Sequence, residues 1–144
     1  LESQKNNSEW RDAQVFKSRI SSGNQDSLNL VKKFVLYNIQ FVKAKPVILT
    51  KSSQALNDLV KIMKSNPTLE IRIEGHTDNI GDELSLINLS EQRAATVRDY
   101  LVNHGIDSKR IQIIGLGASH PINENTTEKG REKNRRVEIK IIKQ

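Results

Sequence analysis

Residues 69–101 read LEIRIEGHTDNIGDELSLINLSEQRAATVRDYL, a strand pattern followed by a polar loop and a helix pattern. It opens with apolar side chains alternating with charged ones, which predicts a strand with one buried face. It ends with apolar residues close to helical spacing, which predicts a helix with one apolar stripe. The stripe consists of Leu89, Ala94, Val97 and Leu101. This spacing leaves Arg93 and Arg98 near the border of the stripe or outside it.

A polar loop, residues 75–85, joins the predicted strand to the predicted helix. Its polar residues are His76, Thr77, Asp78, Asn79, Asp82 and Glu83. A strand that delivers Asp78 to its end and a helix that brings in Arg93 near its start can place a carboxylate and a guanidinium in one cleft. The stretch therefore predicts a site that recognises charge.

The length of 144 residues is enough for one domain with a substantial core. The absence of cysteine excludes disulfide scaffolds, thiolate zinc sites and cysteine nucleophiles. No apolar run approaches the ~20 residues that a membrane helix requires, and the first residues lack the pattern of a signal peptide. These properties predict a single domain outside the bilayer.

The formal net charge of +6 suggests an anionic partner, but its distribution argues against nucleic acid. The excess of cations lies in residues 1–50 and 120–144, whereas residues 51–119 carry slightly more acids than bases. Aromatic residues are only 4% of the chain, and a nucleic-acid surface usually combines them with clustered cations. We therefore expect no nucleic-acid partner.

Residues 1–33 are predicted to be an N-terminal arm or linker. Trp10, Ala13, Phe16 and Ile20 keep near-helical spacing behind Ser8, which indicates a short amphipathic helix packing onto the domain. A linker to an upstream region is the alternative, and the sequence does not choose between them. The domain itself is predicted over residues 34–144.

Further along the chain, hydrophobic patterns and breakers predict four strands and three helices. The strands cover residues 34–41, with 28–31 as an extension or a separate edge strand, then 69–74, 111–116 and the C-terminal run containing Val137, Ile139 and Ile141. The helices cover residues 53–64, the central stretch and 128–134. Two amphipathic helices bury their stripes on one sheet face, so we expect an α/β two-layer sandwich with a mixed four-stranded sheet.

The loop residues allow two other interpretations, a metal site and a catalytic triad, and neither is favoured. His76, Asp78, Asp82 and Glu83 could be imagined as metal ligands, but a stable zinc site needs three or four ligands fixed in geometry, so a hydrogen-bonding role for His76 is preferred. Ser85 or Ser90 with His76 and Asp78 could be imagined as a hydrolase triad, but no nucleophile elbow is present. We expect no enzymatic activity, no bound metal and no cofactor.

Five motifs in order resemble those of the OmpA-like domain, the peptidoglycan-binding module of outer-membrane proteins, lipoproteins and flagellar stator subunits such as the MotB type. They are GHTDNIG at 75–81, LSEQRAATVRDYL at 89–101, GID at 105–107, GLGASHPI at 115–122 and NRRVEIKI at 134–141. The resemblance covers about residues 34–142. It implies the same α/β fold, with the element pattern β-α-β-α-β-β.

The resemblance also implies a ligand, the diaminopimelate of a peptidoglycan stem peptide. In that family the residues matching Asp78 and Arg93 hold its ammonium and its carboxylate. Without the motif, a structural ion pair between these two residues would be the preferred interpretation. Thr77, Asn79, Asn134 and Arg135 complete the predicted ligand-binding set, with Arg135 favoured over Arg136 to brace Asp78 or the ligand and Arg136 expected to face solvent.

The sequence departs from the family at three positions that are commonly polar, which here carry Val42, Ala44 and Leu86. Up to three ligand contacts are therefore missing, unless Asn88 replaces one because the helix starts a turn later.

The resulting hypothesis is a non-catalytic domain in the periplasm that anchors its parent protein, and so the outer membrane, to peptidoglycan. The attachment to the membrane would lie in a part of the parent protein outside this chain. The alternative is a structural or protein-interaction module that kept the fold without the ligand. The sequence leaves the oligomeric state open.

Overall fold

The computed structural model describes residues 35–144, with side chains from Ile39 onward. The predicted N-terminal arm, the possible strand at 28–31 and Phe34 lie outside the described residues. The boundary between arm and domain therefore remains a prediction.

Four strands and three helices alternate along the described chain. The strands are β1 (Val35–Gln40), β2 (Glu70–Gly75), β3 (Ile111–Gly115) and β4 (Arg136–Lys143). The helices are α1 (Ser53–Ser65), α2 (Glu83–Asn103) and α3 (Glu128–Asn134). Single 3₁₀ turns precede α1 and β3.

The strands form one mixed sheet in the order β1-β4-β2-β3. β2 pairs with β3 in parallel, with Ile73 opposite Ile113, and pairs with β4 in antiparallel, with Ile73 opposite Ile139. β1 adds to the other edge of β4 in antiparallel. The predicted α/β fold with a mixed four-stranded sheet is confirmed.

One face of the sheet and the apolar stripes of α1 and α2 form the core. The sheet contributes a layer of isoleucines, including Ile71, Ile73 and Ile139, each at most 2% exposed. The other face carries the alternate residues of β2 and β4, which are charged. They are Arg72, Glu74, Arg136, Glu138 and Lys140, and they line a shallow groove.

One predicted helix start is confirmed and another needs correction, because α1 begins at Ser53 as predicted whereas α2 begins earlier than predicted. α2 begins at Glu83, three residues earlier than the predicted loop allowed, because Asp82 accepts a hydrogen bond from the amide of Ser85 and so caps the helix. At α1 the hydroxyl of Ser52 accepts from the amide of Gln40 at 2.7 Å instead of capping the helix. Gly105, the first residue of the GID motif, follows α2 with φ of 98°, a left-handed conformation common just after a helix.

The buried stripe of α2 also differs from the predicted one. Its buried residues are Leu86, Ser90, Arg93, Ala94, Val97 and Leu101. Arg93 is 0% exposed and lies in the middle of the stripe, so its predicted place at the border was wrong. Arg98 is the arginine that lies toward solvent, with its side chain 35% exposed.

Candidate functional site

Asp78 lies three residues beyond the end of β2 and is 7% exposed. Its Oδ1 accepts a hydrogen bond from the amide of Ile80 at 3.0 Å, which holds the loop in a local turn. Its Oδ2 accepts from Nη1 of Arg135 at 2.8 Å. A carboxylate offers about four acceptor positions, so Asp78 retains about two for a further donor.

Arg135 follows α3 directly and lies between two carboxylates. Its Nη1 donates to Asp78 and its Nη2 donates to Glu128. Burial opposes the charged form, but the hydrogen bonds to Glu128 and Asp78 prevail and raise the pKa of Arg135 above its ordinary value. The predicted bracing of Asp78 by Arg135 is therefore present as a contact, while any contact of Arg135 with a ligand remains a prediction.

Arg93 reaches the same place from the middle of α2. Its Nη1 donates to the carbonyl of His76 at 3.2 Å, and its other two nitrogens donate to the carbonyls of Val42 and Lys45 at 3.4 and 3.3 Å. Its guanidinium carbon lies 5.3 Å from the ring centre of Phe41. Burial lowers the pKa of Arg93 to about 10, with Asp78 opposing and Arg135 adding to that effect. At neutral pH the buried side chain is therefore still charged.

Asp78 and Arg93 do not form a direct ion pair. Asp78 pairs with Arg135, and Arg93 bonds to backbone carbonyls on both sides of the site. Three of the five guanidinium hydrogens of Arg93 have protein partners, which leaves two. Because Arg93 is 0% exposed, a ligand carboxylate reaches its guanidinium only if residues that cover it move.

The other predicted ligand residues fall into two groups. Asn79 is exposed and lines a cavity of about 480 Å³ beside the first turn of α2, whereas Thr77 is 2% exposed and donates to the carbonyl of Asp78 at 2.7 Å. Asn134 is 0% exposed, and its amide group makes four hydrogen bonds to residues 122–125. Asn134 therefore braces the loop before α3, and its hydrogen-bonding capacity is used within the protein.

Arg136 was expected to face solvent, and this was wrong. It is 2% exposed, because the segment around His120 covers it and accepts a hydrogen bond from its Nη2 at 2.9 Å. The alternation along β4 places Arg136 on the charged sheet face, away from the core.

His76 belongs to that sheet face too, and it is 1% exposed. Its Nε2 lies 2.8 Å from Oε2 of Glu138. Hydrogen bonding by His76, supported by the charge of Arg136, overcomes burial and lowers the pKa of Glu138 to about 2. The bracing role preferred for His76 is thus present as a contact.

The residues gathered around His76 differ from the metal ligands considered in the sequence. Glu74, His76 and Glu138 bring their ligand atoms within 4.8 Å of one another, in place of Asp78, Asp82 and Glu83. Arg72 lies 3.0 Å from Glu74, and Arg136 lies 3.6 Å from Glu138, so guanidinium groups already balance both carboxylates. A divalent cation would meet this positive charge at close range.

The serines of the hydrolase interpretation have structural roles. Ser85 donates to the cap residue Asp82 at 2.8 Å. Ser90 is 0% exposed, donates to the carbonyl of Ile87 and accepts from the amide of Gly117. The imidazole of His76 is engaged with Glu138. The described residues therefore bring no serine, histidine and aspartate together as a triad.

The three departures from the family pattern lie around Arg93 and at the start of α2. The carbonyl of Val42 accepts from Arg93, Ala44 has a positive φ of 59°, and Leu86 is 7% exposed against Gly81. Asn88 is exposed and lies more than one turn inside α2. Its substitution for a lost amide required the helix to start a turn later, whereas α2 starts earlier than predicted.

The sequence analysis missed Glu128 as a part of the site. The available signal was its spacing, because Glu128 and Arg135 are seven residues apart and so lie near the same side of two helical turns. Glu74 and Glu138 were missed as neighbours of His76, because only the pairing of β2 with β4 brings them together.

The chain belongs to the OmpA family, whose model matches residues 40–135. Outer membrane porin F of Pseudomonas aeruginosa is 37% identical over 108 residues, which are 74% of this chain and 31% of that protein. Peptidoglycan-binding protein ArfA of Mycobacterium tuberculosis is 46% identical over 88 residues, which are 61% of this chain and 27% of that protein. The chain thus spans less than a third of the length of either relative.

A solved structure agrees with the fold. The C-terminal domain of Helicobacter pylori MotB superposes with a TM-score of 0.66 at 27% identity, covering 72% of this chain and 81% of that one. Among the described residues, no helix has the length and apolar character needed to cross a bilayer.

Proposed function

We propose that this domain binds peptidoglycan noncovalently and without catalysis, and so attaches its parent protein to the cell wall. Family membership and the similarity to a relative named for peptidoglycan binding support the proposal. The observation that carries it is Asp78, a mostly buried carboxylate with acceptor capacity left over, set beside two guanidinium groups.

The ligand group we propose is the free end of diaminopimelate in a stem peptide. This end carries an ammonium and a carboxylate on one carbon, so its charges are opposite and adjacent. Asp78 accepts from the ammonium, and Arg93 donates two parallel hydrogen bonds to the carboxylate. Thr77 holds the loop by donating to the carbonyl of Asp78, and the exposed Asn79 lies next to Asp78. Arg135 braces Asp78 itself, and Asn134 braces the loop before α3.

Binding at Arg93 requires an exchange of partners. The bonds from Arg93 to Val42 and Lys45 are 3.4 and 3.3 Å long and end on neutral carbonyls. Hydrogen bonds between two charged groups are shorter and about twice as strong as neutral ones. A ligand carboxylate can therefore replace these carbonyls, at the cost of moving residues 42–45.

The parent protein, on this proposal, is associated with the outer membrane through a part outside this chain, and the domain lies in the periplasm. A structural or interaction module without ligand is the competing function. The two differ in one measurable property, the retention of the domain by purified peptidoglycan.

The test is the isosteric change Asp78→Asn, which removes the charge and keeps the shape. Losing one partner of a buried charged contact typically costs ~2 to 5 kcal/mol, so we expect retention on purified sacculi to fall at least ~30-fold. Asp99→Asn is the matched control, since the side chain of Asp99 is 65% exposed and pairs with the neighbouring Arg98, away from the site.

Thermal melting of both variants checks that the fold is intact. Retention of Asp78→Asn at the wild-type level would contradict the site. Absence of retention in the wild type would favour the interaction module instead.

A further inference from the structure

The charges around Asp78 extend to a fourth residue, Glu128, at the start of α3. The side chain of Arg135 is 7% exposed and lies between Asp78 and Glu128, bonding one carboxylate through each terminal nitrogen. The side chain of Glu128 is 53% exposed, so it reaches the site from the solvent side. Arg135 is therefore shared by an inner and an outer carboxylate.

Glu128 is held in this orientation by a second arginine. Arg131 donates from Nε to Oε2 of Glu128 at 3.2 Å, and its Nη1 donates to the carbonyl of Asn125 at 3.0 Å. The other oxygen of Glu128, Oε1, is the one that accepts from Arg135. Because Arg131 holds Oε2 of Glu128, Oε1 of the same carboxylate faces Arg135.

The balance of charge near Asp78 depends on Glu128. Arg93 and Arg135 are close enough that Arg135 lowers the pKa of Arg93 while Asp78 raises it. Without Glu128, one carboxylate would face two guanidinium groups, and this inner set would have a net charge of about +1. With Glu128, the charges of these four groups cancel, and the further positive charge of Arg131 lies on the other oxygen of Glu128, not on the one that accepts from Arg135. An approaching ammonium is repelled in the first case and tolerated in the second.

We propose that Glu128 is a positioning residue that sets the charge preference of the site, by neutralising Arg135 so that Asp78 can accept an ammonium group. This inference rests on the proposed function and narrows it. The preferred ligand carries an ammonium next to its carboxylate, and a ligand with the carboxylate alone binds less well. Glu128 acts through Arg135 and does not itself touch the ligand.

The test compares two synthetic tripeptides, L-Ala-D-Glu-meso-diaminopimelate and the same peptide with its free side-chain amine acetylated. Isothermal titration of the wild-type chain should favour the free amine at least tenfold. In Glu128→Gln we expect the free-amine peptide to bind at least fivefold more weakly and the acetylated peptide to change less than twofold. Glu128→Asp keeps the charge and should recover part of the preference.

Glu132→Gln is the matched control. Glu132 lies in the same helix, its side chain is 47% exposed, and it faces Lys51 at 3.6 Å. The substitution changes the total charge of the chain by the same amount, so an effect of overall charge would appear in both variants. We expect the preference of Glu132→Gln to equal that of the wild type.

Equal weakening of both peptides by Glu128→Gln would assign Glu128 a merely structural role and overturn the inference, as would an unchanged preference. Either result would leave the proposed function, peptidoglycan binding at Asp78, intact. Failure of the wild type to bind either peptide would instead overturn the proposed function, and this inference with it. A ligand-free measurement checks the pairing itself, because the hydrogen bond from Arg135 lowers the pKa of Glu128 and Arg135→Gln should return it toward its ordinary value.

Discussion

Ala44 has a backbone conformation that alanine adopts reluctantly. Its φ of 59° lies in the left-handed region, where a side chain meets the following carbonyl. The residue is exposed in the loop whose carbonyls hold Arg93. The departure from the family at this position therefore places strain in the segment that covers the site.

The first prediction is that Ala44→Gly stabilises the domain. Glycine has no Cβ and adopts positive φ without the steric cost, which is about 1 to 2 kcal/mol for other residues. Part of this gain is offset because glycine is more flexible in the unfolded chain. Urea denaturation should show a free energy of unfolding higher by ~0.5 to 1 kcal/mol. Ala95→Gly, inside α2, should instead destabilise.

Glu138 makes a second prediction, about pH. Its pKa is about 2 in the folded protein against an ordinary value of 4.5, so the folded state binds its proton less readily than the unfolded state. The stabilisation is present above pH 4.5 and is lost as the pH falls toward 2. Glu138→Gln removes this contribution at all pH values.

Urea denaturation at pH 2 to 6 measures the effect. Wild type should lose on the order of 1 to 2 kcal/mol more than Glu138→Gln over this range, after allowance for solvent screening. Glu91→Gln, at an exposed position of α2, should behave as wild type. Parallel pH profiles for wild type and Glu138→Gln would disprove a specific role of Glu138.

At the scale of single residues, sequence analysis identified Asp78 and its partner Arg135 but misjudged the surroundings of Arg93. The buried position of Arg93 depends on carbonyls of Val42 and Lys45, which are 51 and 48 residues away along the chain. A helical pattern does not predict such partners. Charged side chains are rarely fully buried, so a charged residue next to apolar ones normally indicates the border of a buried stripe. Arg136 was misjudged for a similar reason, since its cover comes from the segment at His120.

The elements themselves followed from local patterns. Alternation predicted β2, and the hydrophobic pattern of residues 53–64 predicted α1. The apolar side chains of that pattern, Leu56, Leu59, Val60 and Met63, are all buried. The central helix was placed too late because its first turn, Glu83 to Ser85, is exposed and adds nothing to the buried stripe, so only the cap at Asp82 marks its start. Element type was predictable, whereas this boundary depended on a single side-chain contact.

The approach of α2 to the sheet depends on two glycines that are paired across β2 and β3. A Cβ on Gly75 would lie 1.9 Å from the carbonyl oxygen of Ser90, and one on Gly115 would lie 2.5 Å from the amide of Glu91. Gly75 and Gly115 are direct neighbours in the parallel pairing. The helix backbone therefore rests on the ends of both strands, which sets the distance between Arg93 and the loop of Asp78.

The third prediction is that Gly75→Ala is strongly destabilising. The clash involves backbone atoms of α2, which cannot move aside as a flexible side chain would. Overpacking typically costs ~1 to 3 kcal/mol and occasionally more, and we expect at least ~3 kcal/mol here by urea denaturation. Gly105→Ala is the comparison, because it combines a positive φ of 98° with only an ordinary van der Waals contact of the new Cβ, 3.7 Å from the side chain of Lys64. Its cost should be only ~1 to 2 kcal/mol.

At the scale of the whole molecule, the site joins three parts that are distant in sequence. The loop after β1 covers Arg93, the loop after β2 provides Asp78, and the junction of α3 and β4 provides Arg135. The mixed strand order brings these parts to one end of the sheet, since β4 lies between β1 and β2. Binding a ligand between them therefore involves the packing of the whole domain.

The last prediction concerns how much of the ligand this site needs. On the proposed function, the ligand carboxylate must displace the carbonyls that cover Arg93, and part of the binding energy is used to move that loop. The apolar residues at positions 42, 44 and 86 also remove contacts that charged ends of a ligand could use, each worth ~1.5 to 3 kcal/mol when one partner is charged.

Free meso-diaminopimelate should therefore bind at least tenfold more weakly than the tripeptide in isothermal titration. Val42→Asp adds an acceptor for the ligand ammonium and should tighten binding of the free amino acid if the new carboxylate faces the ligand and not Arg93. The apparent affinity for intact sacculi should exceed the affinities for the free amino acid and for the tripeptide, because many copies of the ligand lie close together on the polymer. Tight binding of the free amino acid by the wild type would show that the covering loop opens at little cost, or that other side chains replace the missing contacts.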